Sequence, residues 1–327
     1  TTAHTLSLHD ALPISGCSLG EITGIRRDVP IVASLEEALP FAPEVAVVGL
    51  APSGGRLPDP VRRDALAALR SGLSLASGLH TRLAQDAELS SARQPGRWIW
   101  DLRCEPEDVR VGQARAAALS CRRLLALGTD MAVGKMSACL ALMEAAGRQN
   151  IPCRFVGTGQ AGILIAGGGV ALDAVRVDYA AGVVEAAVLE SAKELPADGL
   201  VLVEGQGSLC HPGSTATLPL LRGSQPTDLL LVHRADQTSI ERLPQIPLPT
   251  LQELVSLCEA LAALGRPRAA GDPPRVRAVA LNTARLGEQE ARSAVASVSD
   301  QLGLPCSDPI RWGGERLMEA VTDSRSE

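Results

Sequence analysis

Residues 122–141 read RRLLALGTDMAVGKMSACLA: an apolar run, a glycine-bounded loop, Gly134-Lys135, and a stretch of helical character. This is the layout of a phosphate-binding loop between a strand and a helix. Glycine lets backbone N–H groups turn inward, the helix N-terminus adds positive potential, and a lysine meets phosphate oxygens. The chain carries 31 Lys plus Arg, of which two are lysines, Lys135 and Lys193. Where arginine otherwise supplies the positive charge, a lysine directly after this glycine points to phosphate. The plainer reading is a glycine-rich strand-to-helix turn with no ligand.

The loop departs from the usual form twice. Five residues separate Gly128 from Gly134, one more than usual, and the residue after the lysine is Met136, with Ser137 one place late. The hydroxyl it replaces ligates Mg²⁺ in nucleotide-cleaving loops, and a thioether is a poor ligand for a hard cation. Gly128, Thr129, Val133, Gly134, Lys135, Met136 and Ser137 are therefore candidate cofactor contacts that hold phosphates, while Mg²⁺-assisted ATP cleavage is in doubt.

At 327 residues the chain has room for two domains, each with its own core. Hydrophobic patterning predicts strands at 45–50, 74–80 and 97–103 and a helix at 60–71, a small Rossmann-like sheet in a first domain over 16–120, with 104–120 as its linker. In a second domain, 121–327, apolar strands at 122–127, 153–157, 199–204, 229–233 and 276–282 alternate with helices at 134–148, 178–192, 250–264 and 287–302. Strands apolar throughout belong to a parallel sheet covered on both faces. The fold class is α/β. PQIPLP at 244–249 and GRPRAAGDPP at 265–274 read as loops.

Ligands of such sheets bind beyond the carboxyl ends of the strands, so the residues there are the candidates. Asp130 lies inside the phosphate loop. GTGQAGILIAGGG at 157–169 carries Gln160, and VEGQGSLCHPG carries Glu204, Gln206, Ser208 and His211. His233 and Arg234 follow the fourth strand, Asn282 and Thr283 the fifth. Glu204, closing an apolar strand before a flexible turn, is a candidate base, metal ligand or amine partner, or a carboxylate that caps a helix. His211 reads as a proton-transfer group or a surface histidine. Asn282 suits a purine edge or a turn. In the first domain, His80 and Arg82 of SGLHTR are candidates for an anionic substrate, or are structural.

Composition excludes other classes. A net charge of −6 and a pI near 5.5 offer no basic stripe to nucleic acid, and 2% aromatics offer no stacking platform. The eight cysteines form no CxxC pair or Cys/His metal spacing; they read as small buried thiols of a reducing cytoplasm, and no metal site is expected. No apolar stretch is long enough to span a membrane. The first fifteen residues, TTAHTLSLHDALPIS, resemble translated adapter sequence; on that expectation they are set aside and the first domain lacks its opening strand.

GTDMAVGKMSACLAL, GTGQAGILIAGGGVALDAV, VEGQGSLCHP, LRGSQPTDLLLVH and SGLHTRL, in the chain's own surroundings, closely resemble the DgcN family, whose characterised members are D-glutamate N-acetyltransferases. The resemblance runs over about 30–320. It implies a Rossmann-like N-terminal domain and a P-loop NTPase-like C-terminal domain, whose loop also looks like that of dethiobiotin synthetase, with Met136 in place of the hydroxyl residue. The implied reaction passes an acetyl group from acetyl-CoA to the amine of D-glutamate or a related amino acid, in D-amino-acid catabolism. In that reading Glu204 is the preferred base, Asp130 the second, with His211 a further catalytic candidate. Lys135 holds CoA phosphates, and Gln160, Gln206, Ser208, His80, Arg82 and Arg234 are substrate candidates. The partner is a small-molecule amino acid, with no nucleic acid and no membrane, and a homo-oligomer is compatible. Two alternatives stand beside it: an ATP- and Mg²⁺-dependent ligase or kinase of dethiobiotin-synthetase type, with Asp130 and Glu204 on the metal, and a non-catalytic nucleotide- or CoA-binding protein.

Overall fold

A computed structural model describes residues 15–23, 28–50 and 57–323, so the reading of the first fifteen residues falls, Ser15 apart, outside the described part. The chain divides into two compact units between Cys104 and Glu105.

In the first unit, β1 (Val45–Val48), β2 (Ser74–Ser77) and β3 (Ile99–Asp101) form a parallel sheet in that order. The helix Asp59–Arg70 connects β1 to β2; its Pro60 sits in the first turn, where no N–H is needed, and it buries Ala65, Leu66, Ala68 and Leu69. The strands are shorter than the apolar runs that announce them. β2 stops at Ser77 because its Oγ takes the N–H of Leu79, which turns the chain.

The second unit contains β4 (Arg122–Gly128), β5 (Cys153–Val156), β6 (Leu200–Val203), β7 (Asp228–Arg234), the short pair β8 (Ser239–Ile240) and β9 (Leu243–Pro247), then β10 (Arg275–Asn282) and β11 (Cys306–Ser307). Six of these make one parallel sheet in the order β11-β10-β7-β4-β6-β5, while β8 and β9 pair antiparallel. Side chains alternate across the sheet. Leu125 and Leu127 of β4 face a core shared with Val184 and Val188 of the helix Ala180–Ala192. Leu124 and Ala126 face the other core, with Ala138 and Leu142 of the helix Lys135–Arg148. From β4 the chain steps out to β5, returns through β6 and then crosses to β7. The loops after β4, β6 and β7 therefore share one end of the sheet centre, where such folds hold ligands.

The unit boundary falls ahead of the expected linker's end. Residues 105–120 are laid over the second unit because the buried Glu185 accepts the N–H groups of Gln113 (3.1 Å) and Arg115 (2.6 Å) and pairs with the Arg115 guanidinium. Two other segments differ from their sequence reading. GTGQAGILIAGGG contains the helix Gln160–Ala166, and PQIPLP is largely β9, whose prolines are tolerated because β9 pairs on one side with β8. The helix Thr217–Ser224 and the C-terminal β11, Pro309–Trp312 and Glu315–Thr322 complete the unit. Among the described residues no helix is long and apolar enough to cross a membrane.

Candidate functional site

β4 ends at Gly128 and the helix begins at Lys135, with Gly134 at its N-cap (φ 110°) and no side chain capping its first N–H groups. Those N–H groups are the unpaired donors of a helix start, and they suit an anion. Lys135 folds back over the loop. Its Nζ donates to the Asp130 carbonyl at 3.0 Å, and a methyl on Gly128 would stand 2.7 Å from that nitrogen. Burial lowers the ammonium to about 8, against the opposing pull of Asp130 and Glu204. A buried cation with one carbonyl partner is poised for phosphate oxygens.

The loop carbonyls are tied outward by side chains from separate strand ends. Ser208 Oγ donates to Thr129 O (2.8 Å), Arg234 Nη2 to Ala132 O (2.9 Å) and Asn282 Nδ2 to Val133 O (3.0 Å). With Ala132 at φ 54°, the backbone is bent in the manner of an anion nest. Three residues expected to touch ligand thus hold the loop's shape. Asn282 is engaged at its other end as well, accepting from Ala284 N, and Arg234 pairs with Glu241 at 2.6 Å. Thr129 Oγ1 lies 3.0 Å from Nδ1 of His233, whose imidazole burial depresses to about 4, so the ring is neutral at physiological pH.

Asp130 is likewise occupied. Its carboxylate accepts from Met131 N (2.7 Å), Gln237 Nε2 (2.7 Å) and Glu241 N (2.9 Å), anchoring the loop to the β8–β9 hairpin. Glu204 is different. One oxygen, Oε2, takes the N–H groups of Thr158 (2.9 Å) and Gly159 (3.2 Å) at the start of the helix Gln160–Ala166, so the capping reading is realised in part. Its other oxygen, Oε1, makes no hydrogen bond among the described residues. Burial raises the carboxyl, while the two N–H groups and Lys135 pull it down. Gln206 Nε2 and Glu204 Oε1 flank the same face of Gly159, 3.1 and 3.7 Å from where a Cβ would be.

The remaining candidates scatter. Met136 packs against the core beneath its helix, and Ser137 faces a cavity of about 400 Å³ lined also by Gly134, Asn282 and Ile310. Met131 and Gln206 line a second cavity of about 290 Å³. His211 accepts the Gly213 N–H on Nδ1 at 3.0 Å and lies in the loop after β6, and Gln160 opens its helix half-buried. His80 and Arg82 belong to the first unit and are exposed, with Arg103 donating to His80 Nε2 at 2.7 Å. Among the described residues no group of three His, Cys, Asp or Glu could hold a metal ion. Sequence reasoning passed over Thr158 and Glu241 as individual contacts. The first sat inside a glycine-rich string already marked as informative, whereas nothing local signalled the second.

The DUF1611 domain of unknown function, described as a P-loop domain, matches residues 110–318, and the DUF1611 N-terminal Rossmann-like domain matches residues 13–105. A relative from Tritonibacter scottomollicae named D-glutamate N-acetyltransferase is 36% identical over 290 residues, 88% of this chain and 84% of the relative. Another of that name, from Pseudoalteromonas sp., is 33% identical over 309 residues, 94% and 88% of the two chains. The crystal structure of a DUF1611 family protein from Anabaena variabilis is similar at a TM-score of 0.87 and 49% identity, over 94% of this chain and 88% of that one.

Proposed function

The chain belongs to the DUF1611 family, and on that premise we propose that it is an N-acetyltransferase moving the acetyl group of acetyl-CoA onto the amino group of D-glutamate, a step suited to D-amino-acid catabolism. The names of its relatives support the reaction and the acceptor. The observation that carries the donor is the phosphate loop. An uncapped helix start and a buried lysine fit a pyrophosphate, while Met136, packed against the core, puts no oxygen ligand for Mg²⁺ after the lysine. Such a loop suits anchoring a phosphorylated carrier intact. Asp130, which an ATP-cleaving reading would set on Mg²⁺ with Glu204, already receives three N–H groups.

The donor, when bound, supplies a reactive thioester; the chain's residues supply alignment and proton transfer. Glu204 takes a proton from the substrate ammonium on Oε1, and the freed amine attacks the carbonyl carbon. The C–N bond forms, the C–S bond breaks, and the departing thiolate takes up a proton. Oε2, pinned by Thr158 and Gly159, keeps the carboxylate aimed. Lys135 and the helix N–H groups hold the phosphates.

The test is to incubate the full chain with acetyl-CoA and each enantiomer of glutamate, following free thiol and N-acetylated product. The expected result is one thiol per acetylated amine, with D-glutamate preferred. Release of ADP from Mg-ATP with an amino acid, and no thiol, would replace this reading with a ligase or kinase.

A further inference from the structure

The two cavities beside the phosphate loop lie on opposite flanks of it. The larger is walled by Val232 of β7 and by Ala280 and Asn282 of β10; the smaller by Met131 of the loop and by Gln206 and Gly207 after β6. Since β7 and β6 are the two neighbours of β4, a ligand with its phosphates on the loop has one cavity to each side.

The smaller cavity has a distinct chemistry. Its walls include Met131, Leu172, Val175, Val177 and Pro219, and among the described residues its lining holds one charged side chain, Asp173. Among the described residues of its lining there is no Lys, Arg or His to pair with the carboxylates of a diacid. An uncharged chain of methylene and amide groups would instead find apolar walls, with Gln206, Ser214 and Thr215 for its polar points. Gln206 also flanks Gly159 together with Glu204 Oε1, so one wall residue of the cavity neighbours the carboxylate.

We propose that this cavity receives the pantetheine arm of an acyl-CoA and brings its thioester to Glu204 and Gln206, the larger cavity taking the adenosine end. The assignment rests on the acetyl-CoA reading of the loop. It divides the ligand by charge: phosphates on Lys135 and the helix start, the neutral arm over apolar side chains, and the dicarboxylate acceptor outside this cavity.

Two variants test it by binding rather than turnover. Val175→Trp fills the cavity, and Val177→Asp puts a charge at its rim on a residue that is 70% exposed and so tolerant of change. Acetyl-CoA and adenosine 3′,5′-bisphosphate are titrated against the full chain and both variants. The bisphosphate lacks the arm, so its retained binding also reports an intact loop. The expected result is acetyl-CoA weakened about tenfold or more, with the bisphosphate within about twofold of the unaltered chain. Unchanged acetyl-CoA binding in both variants overturns the cavity assignment while leaving the donor intact. If the unaltered chain binds neither ligand, the acetyl-CoA reading itself fails and the assignment falls with it.

Discussion

Gly162 leaves the space that the Glu204 carboxylate fills: a Cβ at position 162 would stand 2.1 Å from Oε2 and 3.0 Å from Cδ. The close approach seats the carboxylate at the start of the helix Gln160–Ala166, where the Thr158 and Gly159 N–H groups hold it. The Gly162→Ala variant must shift either the helix or the carboxylate. We expect kcat to fall about hundredfold, with affinity for acetyl-CoA little changed, because misplacing a catalytic group by about an ångström is costly. Steady-state kinetics with a parallel binding titration checks both halves.

Glu204→Gln keeps the size and hydrogen-bonding capacity of the side chain but removes its proton acceptor. The expected loss in kcat is on the order of 10²–10⁴, with acetyl-CoA still bound. Normal turnover in this variant would remove Glu204 from proton transfer and leave it as a helix cap.

Lys135 gives the site a pH dependence of known sign. In the ligand-free protein its ammonium loses a proton near 8, whereas bound phosphates favour the charged form. Affinity for acetyl-CoA is therefore expected to be strongest below pH 8 and to weaken as pH rises above it, with proton uptake on binding in that window. Calorimetry in buffers of different ionisation enthalpy measures the uptake. An affinity that is flat from pH 7 to about 9.5 would take Lys135 out of phosphate binding.

The same lysine costs stability. The unfolded chain keeps the proton up to about 10.5 and the folded one up to about 8, so burying the charged form disfavours folding by roughly 3 kcal/mol below pH 8, a penalty relieved as pH rises through 10.5. Lys135→Met is expected to abolish acetyl-CoA binding while raising the unfolding midpoint at pH 7. A lowered midpoint would mean that the bond to the Asp130 carbonyl outweighs the desolvation.

His233 works in the opposite pH range. Its folded value near 4 lies below the ordinary 6.5, so the unfolded state binds more protons between them and stability falls as pH drops through that interval, by roughly 3 kcal/mol in full. Denaturant unfolding at pH 7, 5 and 4 would show the decline, and His233→Gln should flatten it.

Much of this protein was legible along the chain. The parallel sheet of the second unit follows from apolar runs of strand length alternating with helical periods, and β4, β7 and β10 fall within a residue or so of those runs. The phosphate loop was legible for the same reason: strand, glycines, lysine and helix are contiguous, and their chemistry needs no distant partner. So was the oddity of Met136, because ligand chemistry belongs to the residue type. Short elements were not legible. A two-residue strand such as β11, or the seven-residue helix inside a glycine-rich string, is too brief to display a period.

What only the tertiary structure decided is which side chains the site can spare. Ser208 reaches the loop from 79 positions away, Arg234 from 102 and Asn282 from 149, because the strand order sets β6 and β7 beside β4, with β10 next to β7. Sequence placed all three at strand ends, which is correct. It could not say that each would be used up on a loop carbonyl, nor that Asp130 would be taken by the hairpin while Glu204, among the described residues, kept one oxygen without a hydrogen bond. Periodicity is local and is written residue by residue, whereas a hydrogen bond between strand ends depends on how the sheet orders its strands, which no single segment carries.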